Sequence, residues 1–411
     1  MKWCTPSGER GRIGAMSTHP PGDVRGDAPQ VTPSELMKQR NSLMHSEESI
    51  ANGRGFTPSA DDVFIVTYPK CGTTWMTQVC HQIRTTRLGR RLRRESRSEQ
   101  TDTVGDELPP DGSVIDPTEL DEHVSMGFGE ITEIVPWDIL AKDCGQDLGE
   151  EQVTSSPGLG KCVLKPRLFK SHETCGKIAG GAKYVCVVRN PLDVFNSFYE
   201  FLPPYMGIDV HSISKEEFCD AIFAGASHSG QVWEHFLGWW RMGIDDDTEK
   251  SGSIFHNPNC ATKTTPDDSK NKKILITSFE DMKTDLATVV RRVGAFMKTN
   301  NDDDLSEHDV ASIVRVSSYD FMRRNAEKFD DHFVRRKMWS RVGIPESDWA
   351  EGGVGKVREG GGRVGGGVNL PESVRKRIEM KWDQVMKPSG FETYEEFRKA
   401  TEERNAKCFD S

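Results

Sequence analysis

Four short apolar runs along the chain have the composition of β-strands. They are Val63–Val66, Val163–Lys170, Tyr184–Val188 and Ile274–Thr277. Each is compact and rich in β-branched or aromatic residues, and the segments between them are long enough for crossover helices. That rhythm predicts an α/β fold: a single domain in which a central parallel sheet is flanked by helices.

The first apolar run leads into a helical pattern. Trp75, Val79 and Ile83 recur at a four-residue interval, which suits one face of a helix. Between run and helix, Pro69 fixes the exit from the strand and Gly72 lets the backbone come close to a ligand. A second pattern, residues 129–140, predicts a helix interrupted at Pro136, near a pocket wall.

Polar and glycine-rich stretches divide the rest of the chain. Residues 1–50 are rich in Pro, Gly, Ser and charge and predict a disordered arm, followed by the domain at 51–400 and a C-terminal tail at 401–411. Residues 87–120 and 242–273 have the composition of polar insertions. Nine of the sixteen residues in 352–367 are glycine, which predicts a linker or a flap that closes over a ligand.

Composition narrows the cellular context and the partners. The formal charge of −10 over 411 residues argues against general affinity for nucleic acid or acidic membranes, so a phosphate site must be a local basic pocket. Ten scattered cysteines without a CxxC pair favour a reducing compartment. No run has the length of a membrane span, and the first sixty residues lack the apolar core of a secretory signal. We therefore expect a cytoplasmic protein, with a transit peptide as the open alternative.

The turn after the first strand has the features of a phosphate site. Thr73 and Thr74 stand where the helix begins, and the unpaired backbone N–H groups there attract an anion. Lys70 adds a mobile ammonium. The turn is not a Walker A loop, because Lys70 precedes the only glycine, Gly72, instead of following a second one. An ordinary strand-to-helix turn with a chance lysine is the alternative.

The sequence PKCGTTW resembles the 5′-phosphosulfate loop of the cytosolic-type sulfotransferases, whose donor is 3′-phosphoadenosine 5′-phosphosulfate (PAPS). The family usually has Ser where this chain has Cys71, so one hydroxyl is missing. The resemblance implies that Trp75 stacks on the adenine, for which an indole face is a good platform. It implies donor-binding roles for the loop residues Lys70, Cys71, Gly72, Thr73 and Thr74. It also implies a catalytic role for Lys70, which would neutralise charge on the bridging oxygen of the leaving group.

A second candidate is the segment RLFKSH at residues 167–172. Lys170 and His172 lie two residues apart, and in a strand such residues point to the same side. A histidine can take a proton from an alcohol near neutral pH, and a neighbouring ammonium can stabilise developing charge. On these residues alone, a structural histidine is the commoner outcome. The resemblance implies that His172 is the general base and that Lys170 is catalytic with it.

A third candidate is VVRNPLDVFNSFY at residues 187–199. Arg189 follows a strand directly, and its guanidinium suits a phosphate, while the hydroxyl of Ser197 can close the other side. Pairing of Arg189 with a carboxylate such as Asp193 is the alternative. The segment matches the 3′-phosphate motif of the sulfotransferases, which implies that Arg189 and Ser197 bind that group.

Later segments extend the resemblance. Phe279 stands where relatives often have Tyr, and the positions of Ser317 and Tyr319 flank the adenine in the family. The family's Arg-Lys-Gly triplet, which closes on the 3′-phosphate, is matched by Arg358-Glu359-Gly360. Glu359 replaces the Lys, and its carboxylate beside a phosphate would repel it unless it points to solvent. The run 335–337, Arg-Arg-Lys, competes but lacks the glycine.

Together these residues imply a PAPS-dependent sulfotransferase of the EC 2.8.2 type that needs no metal. Its acceptor is an alcohol, phenol or amine of a small molecule, and a homodimer is left open. Aromatic and apolar residues in two loops hint at a hydrophobic acceptor; they are Phe128, Trp137, Phe201, Tyr205 and Met206. The alternatives are a P-loop kinase or ATPase, which would need a Lys-Ser/Thr pair and a magnesium-binding Asp, and a catalytically weak PAPS-binding protein.

Overall fold

The computed structural model of the protein describes residues 31–101, 126–156, 160–223, 228–243, 274–300, 302–345, 355–357 and 362–409. The described residues from Pro33 onward belong to one compact unit. None of the described helices is both long and apolar enough to cross a membrane.

A four-stranded parallel sheet forms the centre of the fold, and its strands lie in the spatial order Leu168–Ser171, Val63–Thr67, Lys183–Val188 and Ile274–Ser278. This confirms the predicted parallel sheet. Its strands are β1 Val63–Thr67, β4 Leu168–Ser171, β5 Lys183–Val188 and β6 Ile274–Ser278, and a separate antiparallel hairpin consists of β2 Val153–Ser156 and β3 Gly160–Val163.

The predicted strand Val163–Lys170 is divided in two. Val163 ends β3, and β4 begins only at Leu168. Pro166 lies in the interval, and a proline has no N–H to donate to a neighbouring strand. The interruption leaves Lys170 and Ser171 at the carboxyl end of β4, at the same sheet edge as the end of β1.

Helices cover both faces of the sheet. They are α1 Pro33–Ser42, α2 Glu47–Gly55, α3 Thr73–Thr101, α4 Ile131–Ile134, α5 Pro191–Tyr199, α6 Leu202–Tyr205, α7 Lys215–Phe223, α8 Val232–Met242, α9 Phe279–Thr284, α10 Leu286–Met297, α11 Glu307–Val316, α12 Tyr319–Arg324, α13 His332–Val342, α14 Glu372–Val385 and α15 Tyr394–Phe409. Short 3₁₀ turns occur at Asp138–Leu140, Val210–Ser212, Ala326–Phe329, Gly366–Asn369 and Lys387–Ser389.

The hydrophobic core is split by the sheet into two layers. Successive side chains of β1 point to opposite faces, so Phe64 and Val66 pack in one layer and Val63 and Ile65 in the other. All four are fully buried. Burial on both faces is typical of parallel strands, and it explains why β1 is a continuous apolar run instead of an alternating one.

The prediction of a disordered arm is wrong for residues 33–50. These residues form α1 and the start of α2, and Met37 and Met44 are buried in the core. The side chain of Ser46 caps α2 by accepting a hydrogen bond from the N–H of Ser49. Few of these residues are apolar, and such short helices are stable only through tertiary packing, which composition does not reveal.

Two other predicted boundaries also change. Helix α3 continues to residue 101, so 87–101 is helical instead of loop. Helix α15 runs through the predicted tail to Phe409, and the side-chain amide of Asn405 donates to the carbonyl of Ile276 in β6. Residues 102–125 and 244–273 lie outside the described part of the chain. Residues 129–140 contain a short helix and a 3₁₀ turn on either side of Pro136, as the pattern indicated.

One ion pair offers a test of whether α2 belongs to the folded domain. Arg54 in α2 contacts Glu173 with N–O distances of 2.8 and 3.2 Å, and the Glu173 side chain is completely buried. We expect Arg54→Ala to lower the free energy of unfolding by about 2 kcal/mol, because it leaves a buried carboxylate without its cation. The 33 % exposure of Arg54 keeps the loss below that of a fully buried pair.

Urea unfolding followed by circular dichroism measures this loss. The matched control is Arg94→Ala, since the Arg94–Asp303 pair is 59 % and 62 % exposed and should contribute nothing measurable. Equal stability of the two variants would contradict the assignment of α2 to the domain.

Candidate active site

A cavity of about 250 Å³ opens at the sheet edge where the parallel strands end. It contains most of the residues that the sequence singled out. Those that line it are Lys70, Gly72, Thr73, Thr74, Trp75, Lys170, His172, Arg189, Ser197, Phe279 and Tyr319. Arg358, Glu359 and Gly360 lie outside the described residues.

The loop after β1 has an unusual backbone. Lys70 has a φ of 72° and Gly72 a φ of 106°, both in the left-handed region. A Cβ atom on Gly72 would lie 2.9 Å from the ring of Phe279, so the position needs glycine for space as well as for conformation. Helix α3 begins at the next residue, Thr73, with its N-terminus at the cavity. The Nζ atom of Lys70 lies 3.5 Å from the centroid of the Phe201 ring.

Cys71 does not line the cavity. Its side chain is fully buried in the core, and its backbone N–H donates to the carbonyl of Tyr68 at 3.2 Å. Burial raises the pKa of the Cys71 thiol well above its ordinary value. The side chain therefore packs in the core beneath the loop. It does not face the cavity in which a phosphate would bind.

His172 is held as a neutral imidazole. Its Nδ1 lies 2.8 Å from the carbonyl oxygen of Thr67, and because that oxygen can only accept, Nδ1 carries the proton. The other nitrogen, Nε2, is then an acceptor on a residue that lines the cavity. Burial, followed by the charge of Lys170, keeps the pKa of His172 well below its usual range. The same Thr67 bridges to the phosphate loop, since its hydroxyl lies 2.5 Å from that of Thr73.

A buried cluster of charges lies beside His172. The Nζ of Lys170 is 3.6 Å from a carboxylate oxygen of Asp331, and Lys356 contacts the other oxygen. Burial alone would raise the pKa of Asp331, but the two ammonium groups outweigh it and hold the pKa well below the usual value. Burial lowers the pKa of Lys170. Burial, and then the charge of Asp331, raises the pKa of Glu130.

Sequence reasoning missed Asp331 and Lys356, which both line the cavity. Lys356 lies in the glycine-rich segment, two residues before the predicted triplet, and nothing in the sequence distinguishes it from Arg358 and Arg363 of the same segment. Asp331 gave no signal either, because its role depends on a left-handed φ of 62° that turns the chain ahead of α13. The competing run 335–337 starts at a buried arginine, and none of its three residues lines the cavity.

Arg189 joins separate segments of the site. Its guanidinium donates to the carbonyl of Lys70 at 2.9 Å and to that of Arg363 at 3.0 Å, and it lies 4.2 Å from the centroid of the Phe279 ring. It is not paired with Asp193. That carboxylate instead accepts hydrogen bonds from two N–H groups of the glycine-rich segment, at residues 365 and 367.

Trp75 is fixed at the opposite side of the loop. Its indole N–H donates to the carbonyl of Ser317 at 2.7 Å, and its ring meets that of Phe279 edge to face. Ser317 itself is buried and does not line the cavity, whereas Tyr319 does. The two residues predicted to flank the adenine thus differ. Ser317 orients the indole of Trp75 through its backbone carbonyl, whereas the side chain of Tyr319 lines the cavity.

The apolar wall also divides. Trp137, Phe201 and Tyr205 line the cavity, whereas Phe128 and Met206 are core residues. Both segments therefore contribute side chains to the cavity wall, but not every aromatic or apolar residue in them reaches it. Among the described residues there is no group of three or more His, Cys, Asp or Glu arranged to hold a metal ion.

Comparison with known proteins agrees with the motifs in this cavity. Residues 60–249 and 262–342 match the sulfotransferase domain, which is well over half of the chain. The chain belongs to the sulfotransferase family. Its similarity to individual relatives is low: a flavonol 3-sulfotransferase of Flaveria bidentis is 23 % identical over 345 residues, which cover 80 % of this chain and 90 % of the relative.

Other relatives are similar to the same degree. Cytosolic sulfotransferase 1 of Arabidopsis thaliana is 25 % identical over 252 residues, which cover 59 % of this chain and 58 % of that sulfotransferase. Among solved structures, a retinol dehydratase in complex with androsterone and the inactive cofactor PAP aligns with a TM-score of 0.48 and 16 % identity, over 85 % of this chain and 87 % of the other.

The buried position of Cys71 leads to a prediction about the serine that the family usually has at this position. We expect Cys71→Ser to leave the affinity for adenosine 3′,5′-bisphosphate within about twofold and to lower the free energy of unfolding by about 1 kcal/mol, because a hydroxyl is buried without a designed partner. Calorimetric titration and urea unfolding measure the two quantities.

The control is Cys80→Ser, which replaces another fully buried thiol that does not line the cavity. We expect a similar loss of stability and no effect on binding. Clearly tighter binding of the bisphosphate by Cys71→Ser would contradict the inward orientation of residue 71.

Proposed function

We propose that the protein transfers a sulfuryl group from PAPS to a hydroxyl or amine of a small, hydrophobic acceptor, with His172 as general base. One observation carries the proposal. Thr67 contacts both the phosphate loop, through Thr73, and the imidazole of His172, so a phosphate cradle and a neutral base face one cavity. A base that is neutral and poorly hydrated can accept a proton from an alcohol at physiological pH.

The residues present suit the donor. The left-handed glycine at position 72 and the helix N-terminus at Thr73 form a turn whose backbone N–H groups suit an anion, and a Cβ at position 72 would collide with Phe279. Lys70, Thr73 and Thr74 would hold the 5′-phosphosulfate, and a second set of residues would hold the rest of the donor: Arg189 and Ser197 at the 3′-phosphate, Trp75, Phe279 and Tyr319 at the base. When bound, PAPS supplies an activated sulfuryl group and a bisphosphate leaving group.

In this proposal the protein acts by position and charge. His172 accepts the acceptor's proton at Nε2, and the bond from Nδ1 to Thr67 keeps the ring in the required tautomer. Lys70 stabilises the negative charge that develops toward the 5′-phosphate, and Lys170 adds positive charge beside the acceptor. Both ammonium groups face aromatic rings, which keeps them partly desolvated and strengthens their fields.

The acceptor class is inferred from the wall. Trp137, Phe201 and Tyr205 present aromatic surface to the cavity, which suits a flat or apolar molecule. We propose a cytoplasmic protein without nucleic-acid or membrane partners; the net charge of −10 and the name of the Arabidopsis relative support this. Two further points stay predictions: that the reaction requires no metal, and that the protein can form a homodimer.

Nucleotide preference separates the proposal from a P-loop kinase or ATPase. We expect calorimetric titration to show binding of adenosine 3′,5′-bisphosphate in EDTA, because the cradle provides N–H groups, hydroxyls and cations for the phosphate groups. Preferential binding of Mg-ATP would overturn the proposal. Transfer of radiolabelled sulfate from PAPS to a panel of phenols and alcohols then separates an enzyme from a protein that only binds the nucleotide.

The assignment of the base gives a mutational prediction. We expect His172→Ala to lower kcat/KM for sulfate transfer by a factor of about 10² to 10⁴, because it removes the group that takes the proton, while bisphosphate affinity stays close to that of the unmodified protein. The matched control is His308→Ala, which removes an exposed imidazole from α11 and should leave both quantities unchanged. An unaltered kcat/KM in His172→Ala would show that the base is another group.

The depressed pKa of His172 sets the acid side of the pH profile. The imidazole works in its neutral form, so kcat/KM rises with pH through the pKa and is level above it. Because the pKa in the folded protein lies well below the ordinary 6.5, we expect the plateau to be reached before pH 6.5. Initial rates between pH 5 and 8 test this with an acceptor that does not ionise there. A profile still rising above pH 7 would contradict a desolvated, neutral His172.

A further inference from the structure

The cavity has a polar feature that the proposed reaction does not use. His45, in the turn between α1 and α2, lines the cavity, and both of its ring nitrogens are buried. Neither has a hydrogen-bond partner among the described residues. A buried polar group without a partner is costly, so such a group in a cavity wall is a candidate for ligand contact.

The surroundings of His45 place it on the same wall as the proposed base. Its ring meets the indole of Trp137 edge to face, with centroids 5.4 Å apart, and His172 meets the same indole at 4.9 Å. The ring of His228 also contacts that of His45, with centroids 5.0 Å apart. The indole N–H of Trp137 is also buried and has no partner in the described part of the chain.

The chemistry of this wall favours an uncharged polar ligand. Burial, and then His228, lower the pKa of His45 to about 3, so the ring is neutral with one N–H donor and one acceptor nitrogen. Trp137 can only donate. An oxygen of the ligand, such as a ketone or a second hydroxyl, suits these donors, whereas a cation would meet Lys170 over the same indole at 4.0 Å.

We propose that His45 is a specificity-determining residue that binds a second oxygen of the acceptor, remote from the group that receives the sulfuryl. The proposal rests on the proposed function for the identity of the cavity as an acceptor site. It narrows the acceptor class from small hydrophobic alcohols and phenols to those that carry another, non-reacting oxygen on the far side of the skeleton.

Two probes of nearly equal shape test the proposal: 6-acetyl-2-naphthol, with a ketone oxygen, and 6-isopropenyl-2-naphthol, in which a CH₂ group replaces that oxygen. We expect the unmodified protein to favour the ketone by about tenfold in kcat/KM for sulfate transfer, the usual effect of one hydrogen bond to an otherwise unpaired buried group. In His45→Phe the ratio should fall by about the same factor of ten. The acetyl group also changes the acidity of the naphthol, but it does so alike in both proteins. The drop in the ratio from the unmodified protein to His45→Phe therefore reports the hydrogen bond alone.

Two further variants make the test specific. His45→Gln keeps a donor and an acceptor and should retain part of the preference for the ketone. His211→Phe replaces an exposed imidazole that does not line the cavity, and the ratio should stay at the value of the unmodified protein. We also expect His45→Phe to be at least as stable as the unmodified protein in thermal unfolding, since it removes buried polar atoms that lack partners.

Direct binding distinguishes failure of this inference from failure of the proposed function. Quenching of tryptophan fluorescence gives the Kd of each probe without any donor. A tenfold preference for the ketone that disappears in His45→Phe supports the role of His45 even if no sulfate is transferred, which would overturn only the proposed reaction. Equal or absent binding of the two probes by the unmodified protein, or a preference that survives in His45→Phe, overturns the role of His45.

Discussion

The site depends on one arginine at the end of a central strand. Arg189 follows β5, and its two outer nitrogens bond to backbone carbonyls of the phosphate loop and of the glycine-rich segment. Its flat face rests on Phe279, which in turn fills the space that a side chain at Gly72 would need. Three segments far apart in the chain are therefore fixed by one guanidinium, whose planar fork a lysine could not reproduce.

The buried charges beside the base are better explained by chemistry than by stability. Removing Lys170, Asp331 and Lys356 from water is costly, and apolar residues in their place would often give a protein at least as stable. In their present arrangement Lys170 and Lys356 share the Asp331 carboxylate, and positive charge from both ammonium groups acts on His172. That charge helps to hold the imidazole neutral, and it would also stabilise an acceptor oxygen as its proton leaves.

The sequence could predict those site residues that belong to a motif of consecutive residues, and it could not predict those that reach the cavity from distant segments. The phosphate loop, the Lys170–His172 segment and Arg189 each lie in consecutive residues at a strand end, so pattern alone brought them to one sheet edge. Asp331, Lys356 and His45 reach the cavity from segments without such a pattern. The orientation of Cys71 could not be predicted either, because it follows from positive φ angles on both sides of it, at Lys70 and Gly72.

The two ends of the cavity are thus built in different ways, and they meet at Trp137. The donor end is a local motif on a rigid sheet edge, whereas the acceptor wall includes a turn between two short helices that precede the sheet. The indole of Trp137 contacts the rings of His172 and His45 in edge-to-face pairs, and the ammonium of Lys170 lies over its face. Residues that share a contact in this way do not act independently. A change that alters acceptor choice at this wall should therefore also be felt at the base, and Thr67, which contacts both His172 and Thr73, connects the base to the phosphate cradle.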